Sequence, residues 1–244
     1  MRCQPENPHQ VYNWLKNKQA CLLCDEPADA ATAICTNCEA ELPWLGGHCQ
    51  RCALPLPDSG LTCGGCLRNP PSFERVEAPW RYAFPVDSLI TRFKHQAKWP
   101  MGRLLGELLS QHLLHAFDEG LPRPDLLLPV PLAGRRQRQR GFNQALMLAQ
   151  WLSTALQLPW QDAWLQRVID TPAQQQLDAA TRKRNLRRAF ALAPQSRVAG
   201  LHLALVDDVL TTGATAESLA RLLRKAGAAR VDVYCLARTP KPGD

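Results

Sequence analysis

The chain has 244 residues, 45% of them apolar, and a formal net charge of +7. That is enough apolar material for a packed core and enough length for one large domain or a modest domain with an appendage, so wholesale disorder is excluded. The longest apolar run, Leu126 to Ala133, is short and holds two prolines, which excludes a membrane-spanning helix.

Residues 1–20 are polar, carry Glu6 and two prolines, and have no apolar stretch of the kind an export signal needs. The expectation is a cytoplasmic protein. From Cys21 the cysteines come in pairs: Cys21 and Cys24, Cys35 and Cys38, Cys49 and Cys52, Cys63 and Cys66, repeating every 14 residues. A C-x-x-C knuckle sets two sulfurs on one side of a tight turn, and two knuckles give the tetrahedral thiolate set that suits zinc. Apolar positions are sparse in this segment, so a metal has to replace the missing core, and structural zinc supplies about 10–16 kcal/mol of folding free energy. Disulfides fit badly with a reducing compartment, tandem pairs do not read as a redox motif, and the spacing alone leaves an iron–sulfur cluster open. Two structural zinc ions are expected, one on Cys21, Cys24, Cys35 and Cys38 and one on Cys49, Cys52, Cys63 and Cys66. A cross-braced pairing has the same spacing. Serine at Cys49 is expected to unfold the ribbon alone. Cys3 and Cys235 have no partner motif, and Cys235 sits in an apolar run as a core thiol.

Charge is unevenly placed. Six acids and one arginine give residues 21–66 a net −5, so the rest of the chain carries +12. Eight thiolates and two Zn²⁺ bring the cysteine module near −9, a poor match for a phosphate backbone. A structural role, or docking of a protein partner, suits it better.

Pro70 and Pro71 end the cysteine module. Phe73 to Phe84 reads as edge strands, and Val86 to Ala97 and Met101 to Phe117 have helical spacing. Asp125 to Val130 is a predicted buried strand, Ala133 to Arg140 a basic loop, Phe142 to Leu156 an amphipathic helix and Trp164 to Ile169 a strand. Thr171 to Arg188 is polar and basic and is predicted as a long loop. Leu201 to Val206 is a strand, Thr215 to Ala226 a helix closed by Gly227, and Val231 to Ala237 the last strand. Alternating strands and helices predict a mostly parallel α/β sheet, with ligands beyond the C-terminal strand ends.

The run LALVDDVLTTGAT, Leu203 to Thr215, delivers Asp207 and Asp208 to such an end. Thr211, Thr212 and Gly213 then turn into a helix beginning at Ala214 or Thr215, where free amides and hydroxyls suit a phosphomonoester. Two adjacent carboxylates accept hydrogen bonds from a diol or hold a hydrated cation. A ribose 5-phosphate meets both requirements. Neither G-x-x-x-x-G-K-[ST] nor G-x-G-x-x-G occurs, so neither motif supports a nucleoside triphosphatase or a dinucleotide site.

This run resembles the phosphoribosyl pyrophosphate (PRPP) motif of type I phosphoribosyltransferases. With the cysteine pairs, PVPLAGRRQRQRGFNQA, and Gln174, Leu177, Arg182 and Asn185 in Q-x-x-L-x-x-x-x-R-x-x-N, the chain from Cys21 onward is similar to the ComF family, also called ComFC- or GntX-like. The resemblance implies residues 21–69 as a double zinc ribbon and 70–244 as a phosphoribosyltransferase-like domain after a 1–20 segment. It implies that Asp207 and Asp208 take the ribose hydroxyls of PRPP, that Thr211, Thr212, Gly213, Ala214 and Thr215 wrap its 5-phosphate, and that Mg²⁺ accompanies it. The Ala133–Arg140 loop would hold pyrophosphate, with Arg135, Arg136, Arg140 and Lys183 as the catalytic clamp, and Gln174, Leu177, Arg182 and Asn185 in a closing lid. Transferases for 6-oxopurines carry an aspartate base at the place of Thr211, so its absence here argues against those acceptors. His95, His112, His115 and His202 match no base position. Three functions follow: transfer of phosphoribosyl to an unknown acceptor, non-catalytic binding of PRPP and single-stranded DNA, or PRPP sensing. The family's association with DNA uptake, competence and growth on DNA bears on all three, and the resemblance implies a competence or helicase-type protein partner at the zinc module.

Overall fold

The computed structural model describes residues 20–28, 32–169 and 189–240, apart from the side chain of Arg135. Cys3, Gln174, Leu177, Arg182, Lys183 and Asn185 lie outside the described residues. The chain forms two compact units that meet between Leu42 and Pro43. The boundary expected from the sequence falls after residue 69, just before Pro70 and Pro71.

The first unit is built on one pair of knuckles. Cys21 N–H donates to Glu26 O at 2.7 Å, Leu22 N–H to Ala33 O at 3.0 Å, and Ala20 and Pro27 form an antiparallel bridge. Cys35 then starts the short helix α1 (Thr36–Ala40). The same plan recurs 28 residues on, inside the second unit. His48 and Pro55 form the bridge, Cys49 N–H donates to Leu54 O at 2.8 Å, and Cys63 starts helix α2 (Gly64–Arg68). The residue after each first knuckle is left-handed, Asp25 at φ 62° and Ala53 at φ 53°. The sequence interval of 14 is therefore a structural interval of 28, a knuckle followed by a helix start.

In the second unit this knuckle is part of the main core. Ala53 is fully buried among Phe73, Val76, Val233 and Cys235, with Leu45 and Cys52 packed against the same cluster. Leu45 N–H donates to Pro79 O at 2.7 Å and Arg81 N–H to Pro43 O at 2.9 Å. The Trp44 ring lies 5.6 Å from that of Trp80. A ribbon that unfolds by itself at Cys49 does not fit this packing.

The sheet of the second unit is parallel. Strands β1 (Arg75–Glu77) and β2 (Trp80–Arg81) follow one another along β7 (Arg230–Arg238), which pairs with β6 (His202–Leu210), which pairs with β3 (Leu126–Pro129). Strands β6 and β7 are buried along most of their length, as central parallel strands covered on both faces must be. Helices α3 (Val86–Gln96) and α4 (Trp99–Asp118) pack on one another, and a Cβ at Gly102 would lie 2.5 Å from the Phe93 ring, so only glycine permits that contact. The 133–140 segment, predicted as a loop, is the helix α5 (Gly134–Arg140), followed by α6 (Gln144–Leu156). Strands β4 (Leu165–Arg167) and β5 (Phe190–Leu192) form a separate antiparallel pair. Helix α7 (Ala214–Lys225) connects β6 to β7. Among the described residues no helix is long and apolar enough to cross a membrane.

Candidate functional site

Strand β6 continues past the predicted Val206 to Leu210, because β7 runs alongside it and pairs Asp207 with Cys235, Val209 with Ala237 and Leu210 with Arg238. Its other neighbour stops earlier, with Pro129 opposite Val206. Asp207 and Asp208 therefore lie on the part of β6 that has lost β3. Asn143 shapes the segment that follows β3. Its amide donates to Val130 O at 3.1 Å, and its carbonyl oxygen caps α6 by accepting from Ala145 N–H at 3.0 Å.

The two carboxylates have different surroundings. Asp207 is pushed up to about pKa 7, chiefly by burial and then by the neighbouring Asp208, against the Asp208 amide that donates to it at 2.9 Å. Asp208 forms an ion pair at 2.9 Å with the Lys94 ammonium of α3, with only 13% and 19% of the two side chains exposed. Lys94 also lines a cleft of about 510 Å³ with His95, Gln96, Arg136, Arg140 and Phe142. Burial lowers the Arg140 guanidinium, Asp208 opposes that shift, and Arg136 adds to it. Of the four predicted clamp residues, Arg136 and Arg140 thus stand at one cleft, near the carboxylates. The Arg135 side chain and Lys183 lie outside the described residues.

Lys94 is the site residue that sequence reasoning missed. It is one charge on an amphipathic helix, and nothing in its local pattern marks a pairing with a strand so far along the chain. Trp99 reaches the cleft lining through Phe142. It stacks on Phe142 at 5.3 Å and 27°, at the edge of the same cleft, and stays half exposed.

Beyond Asp208 the chain turns at Thr211 to Gly213, and Gly213, with φ 73°, is the N-cap of α7. A residue with a Cβ pays about 1–2 kcal/mol for that left-handed backbone. Thr211 and Thr212 are exposed, and Gly213, Ala214 and Thr215 are half-buried. Helix α7 thus starts where expected and leaves its first amides without intrahelical acceptors, an arrangement suited to an anion.

The eight cysteines form two sets in consecutive order, Cys21, Cys24, Cys35 and Cys38, then Cys49, Cys52, Cys63 and Cys66. Within each set all sulfurs lie within 4.8 Å of one another. Zinc–sulfur bonds of about 2.3 Å in a tetrahedron require sulfurs about 3.8 Å apart. Cys24 and Cys35 are 3.7 Å apart, as are Cys52 and Cys63, so the donor sets fit zinc. Burial raises Cys21 and Cys49, but backbone amides outweigh it and bring them down to about 6 and about 7. Cys63 N–H donates to Cys49 Sγ at 3.3 Å, and Leu23 N–H to Cys21 Sγ at 3.5 Å. Two of the histidines pair with acids: His202 is 2.8 Å from Asp232 and His112 is 3.3 Å from Glu77. Cys235 is fully buried, and burial pushes its thiol up.

Comparison with known families matches residues 15–67 to the double zinc ribbon domain and residues 143–243 to the phosphoribosyl transferase domain. The DNA utilization protein YhgH of Salmonella typhi is 40% identical over 90% of this chain and 96% of its own. Competence protein F of Haemophilus influenzae is 36% identical over 86% of this chain and 92% of its own. Competence protein ComFC of Bacillus subtilis is 26% identical over 91% and 96%. Among solved structures, the glutamine PRPP amidotransferase from B. subtilis aligns with 55% of this chain and 25% of its own, at 22% identity and a TM-score of 0.37.

Proposed function

This chain belongs to the ComF family, with a double zinc ribbon ahead of a type I phosphoribosyltransferase fold, and from that premise we propose that it binds PRPP and transfers its phosphoribosyl group to an acceptor in the use of DNA. The observation that carries this reading is the run from Asp207 to Thr215. Two carboxylates on the open stretch of β6 lead directly into a threonine–glycine turn at a helix start, beside a cleft lined by Lys94, Arg136 and Arg140.

In the proposed complex Asp207 and Asp208 accept hydrogen bonds from the ribose hydroxyls. The turn Thr211–Gly213 and the first amides of α7, at Ala214 and Thr215, hold the 5-phosphate. Arg136 and Arg140, with Arg135 and Lys183, hold the pyrophosphate. During transfer the anomeric C–O bond breaks and its electron pair leaves on pyrophosphate. An acceptor atom forms the new bond to the anomeric carbon and gives up a proton. Cations aimed at the leaving group stabilise charge that develops only as that bond breaks, which is where they accelerate the step. The hard oxygen donors of Asp207, Asp208, the diol and the pyrophosphate suit Mg²⁺, which would neutralise part of the leaving charge. Lys94 balances Asp208 until the ligand arrives, and in the complex its ammonium is within reach of the same anion.

The test is release of pyrophosphate during incubation with PRPP and Mg²⁺, run over bases, nucleosides and short DNA as acceptors. PRPP with Mg²⁺ is expected to raise the melting temperature of the wild-type chain by mass action. Asp207→Asn combined with Asp208→Asn is expected to abolish that rise, and an unchanged rise in the double variant would place the ligand elsewhere.

A second reading, non-catalytic binding of PRPP and single-stranded DNA, is favoured by one observation. Arg136 lines the cleft together with Phe142, on which the half-exposed Trp99 stacks, so phosphate-binding charge and an aromatic face on which a base can stack belong to one region. PRPP binding without pyrophosphate release from any acceptor would favour it.

A further inference from the structure

Arg238, the last residue of β7, is only 6% exposed, although it carries a guanidinium. Its Nε donates to Cys52 O at 2.9 Å. Its Nη1, with two hydrogens to share, lies within hydrogen-bond distance of three carbonyl oxygens, Leu210 O at 3.1 Å, Thr239 O at 2.6 Å and Thr211 O. Cys52 is a sulfur donor of the second cysteine set, and Thr211 opens the turn that leads into α7. One side chain therefore joins the backbone of a metal ligand to the backbone at the start of the phosphate turn. The core repeats the connection, because Ala53 and Leu210 belong to the same buried cluster.

We propose that Arg238 is a positioning residue: it fixes the Thr211–Gly213 turn against the second cysteine knuckle, so that occupancy of that knuckle by metal sets the affinity of the turn for its anion. The proposal rests on the reading of this turn as the PRPP phosphate site. Its physical basis is the hydrogen-bond geometry of the guanidinium. Arginine presents five donors in a rigid fork, so one buried group can hold carbonyls from several segments in a fixed relation. Lysine has a cation but no fork. Glutamine has neither the charge nor the reach to satisfy the same carbonyls. Without its metal, the knuckle at Cys52 loses the constraint on its own backbone, and the fork loses one of its anchors. The converse follows from linkage: an anion that orders the turn must also tighten metal binding at the second set. This gives the second metal a role in ligand binding, beyond holding a ribbon together.

The experiment uses the full zinc-loaded chain as wild type, Arg238→Lys and Arg238→Gln. Amide hydrogen exchange is read at Thr211 to Thr215, zinc is counted, and PRPP–Mg²⁺ affinity is measured by calorimetry. Arg238→Gln is expected to exchange at least tenfold faster at those amides and to bind PRPP at least tenfold more weakly, with zinc still near two per chain. Arg238→Lys should fall between the two. In wild type, PRPP should raise the equilibrium chelator concentration needed to remove one of the two zinc equivalents, and Arg238→Gln should lose that protection. Unchanged exchange at Thr211–Thr215 in Arg238→Gln would overturn the proposal. So would wild-type affinity in that variant, or equal protection of both zinc equivalents. Failure of wild type to bind PRPP would instead remove the PRPP reading, and the exchange measurement would still decide the role of Arg238. Should Arg238→Gln fail to fold, Arg238→Lys carries the same comparison.

Discussion

The two neighbouring aspartates of β6 influence one another and yet have different surroundings. Asp208 reaches a cation on α3, whereas Asp207 is held by burial at about pKa 7. Its folded value is above that of the unfolded chain, so the native state binds the extra proton and stability falls as pH rises. The loss develops between about pH 4 and about pH 7 and then levels off. Asp207→Asn removes the titrating group. It is expected to be more stable than wild type above neutrality, by on the order of 1–3 kcal/mol, with the gap closing toward pH 4. Chemical denaturation of both proteins across that range, without ligand, checks it, and a gap independent of pH would mean that Asp207 is ionised throughout. Lys94→Met should act in the other direction at neutral pH, costing about 1–3 kcal/mol by leaving the Asp208 carboxylate without its partner. Gly213→Ala has open space around the added methyl, so its cost, about 1–2 kcal/mol, is that of the backbone alone and shows as a lower melting temperature.

At the scale of elements, the two knuckle pairs are alike in form and different in setting. Elemental analysis is expected to find two zinc ions per chain, and a single metal, or iron in place of zinc, would overturn that expectation. The first set, in the 1–42 unit, has that unit as its setting. The second set shares its core with the parallel sheet, through Ala53 and Cys52. Cys49→Ser should therefore lower the melting transition of the phosphoribosyltransferase fold itself, and a fully native melting transition of that fold in the variant would refute the shared core. The cysteine sets and the run from Leu203 to Thr215 were legible because their chemistry is local, with spacing that repeats or residues that are consecutive. Helix α5 was not. Gly134–Arg140 has no apolar periodicity to read, and its helix rests on good helix formers, arginine and glutamine, closed by Gly141 in the left-handed region. The reach of β6 to Leu210 was hidden for a related reason. Aspartate is a poor strand former, and only pairing with β7 carries the strand through Asp207 and Asp208. Lys94 and Arg238 act through contacts that close only in three dimensions, and no window of sequence contains both ends of either.

For the whole molecule the governing quantity is where the charge lies. Residues 21–66 carry a net −5 and the rest +12, so a polyanion is repelled by one part of the chain and drawn to the other. Arg136 and Arg138 on α5 are exposed cations, and Arg136 lines the cleft with Phe142, on which Trp99 stacks. The basic run Arg182, Lys183, Arg184, Arg187 and Arg188 lies outside the described residues. If a short single-stranded oligonucleotide binds here, each phosphate contact releases counterions, and the logarithm of affinity falls with the logarithm of salt by about 0.7 per contact. Arg136→Gln with Arg138→Gln should then reduce that slope by about 1.4. Trp99→Ala should behave differently. Loss of one base stack costs about 1–3 kcal/mol and leaves the slope as it was, because no counterion is involved. PRPP should compete, since Arg136 faces the cleft proposed for its pyrophosphate. Fluorescence anisotropy over a salt series, with and without PRPP, separates these effects. A slope unchanged in the double arginine variant, or altered in Trp99→Ala, would remove the strand from this face of the molecule.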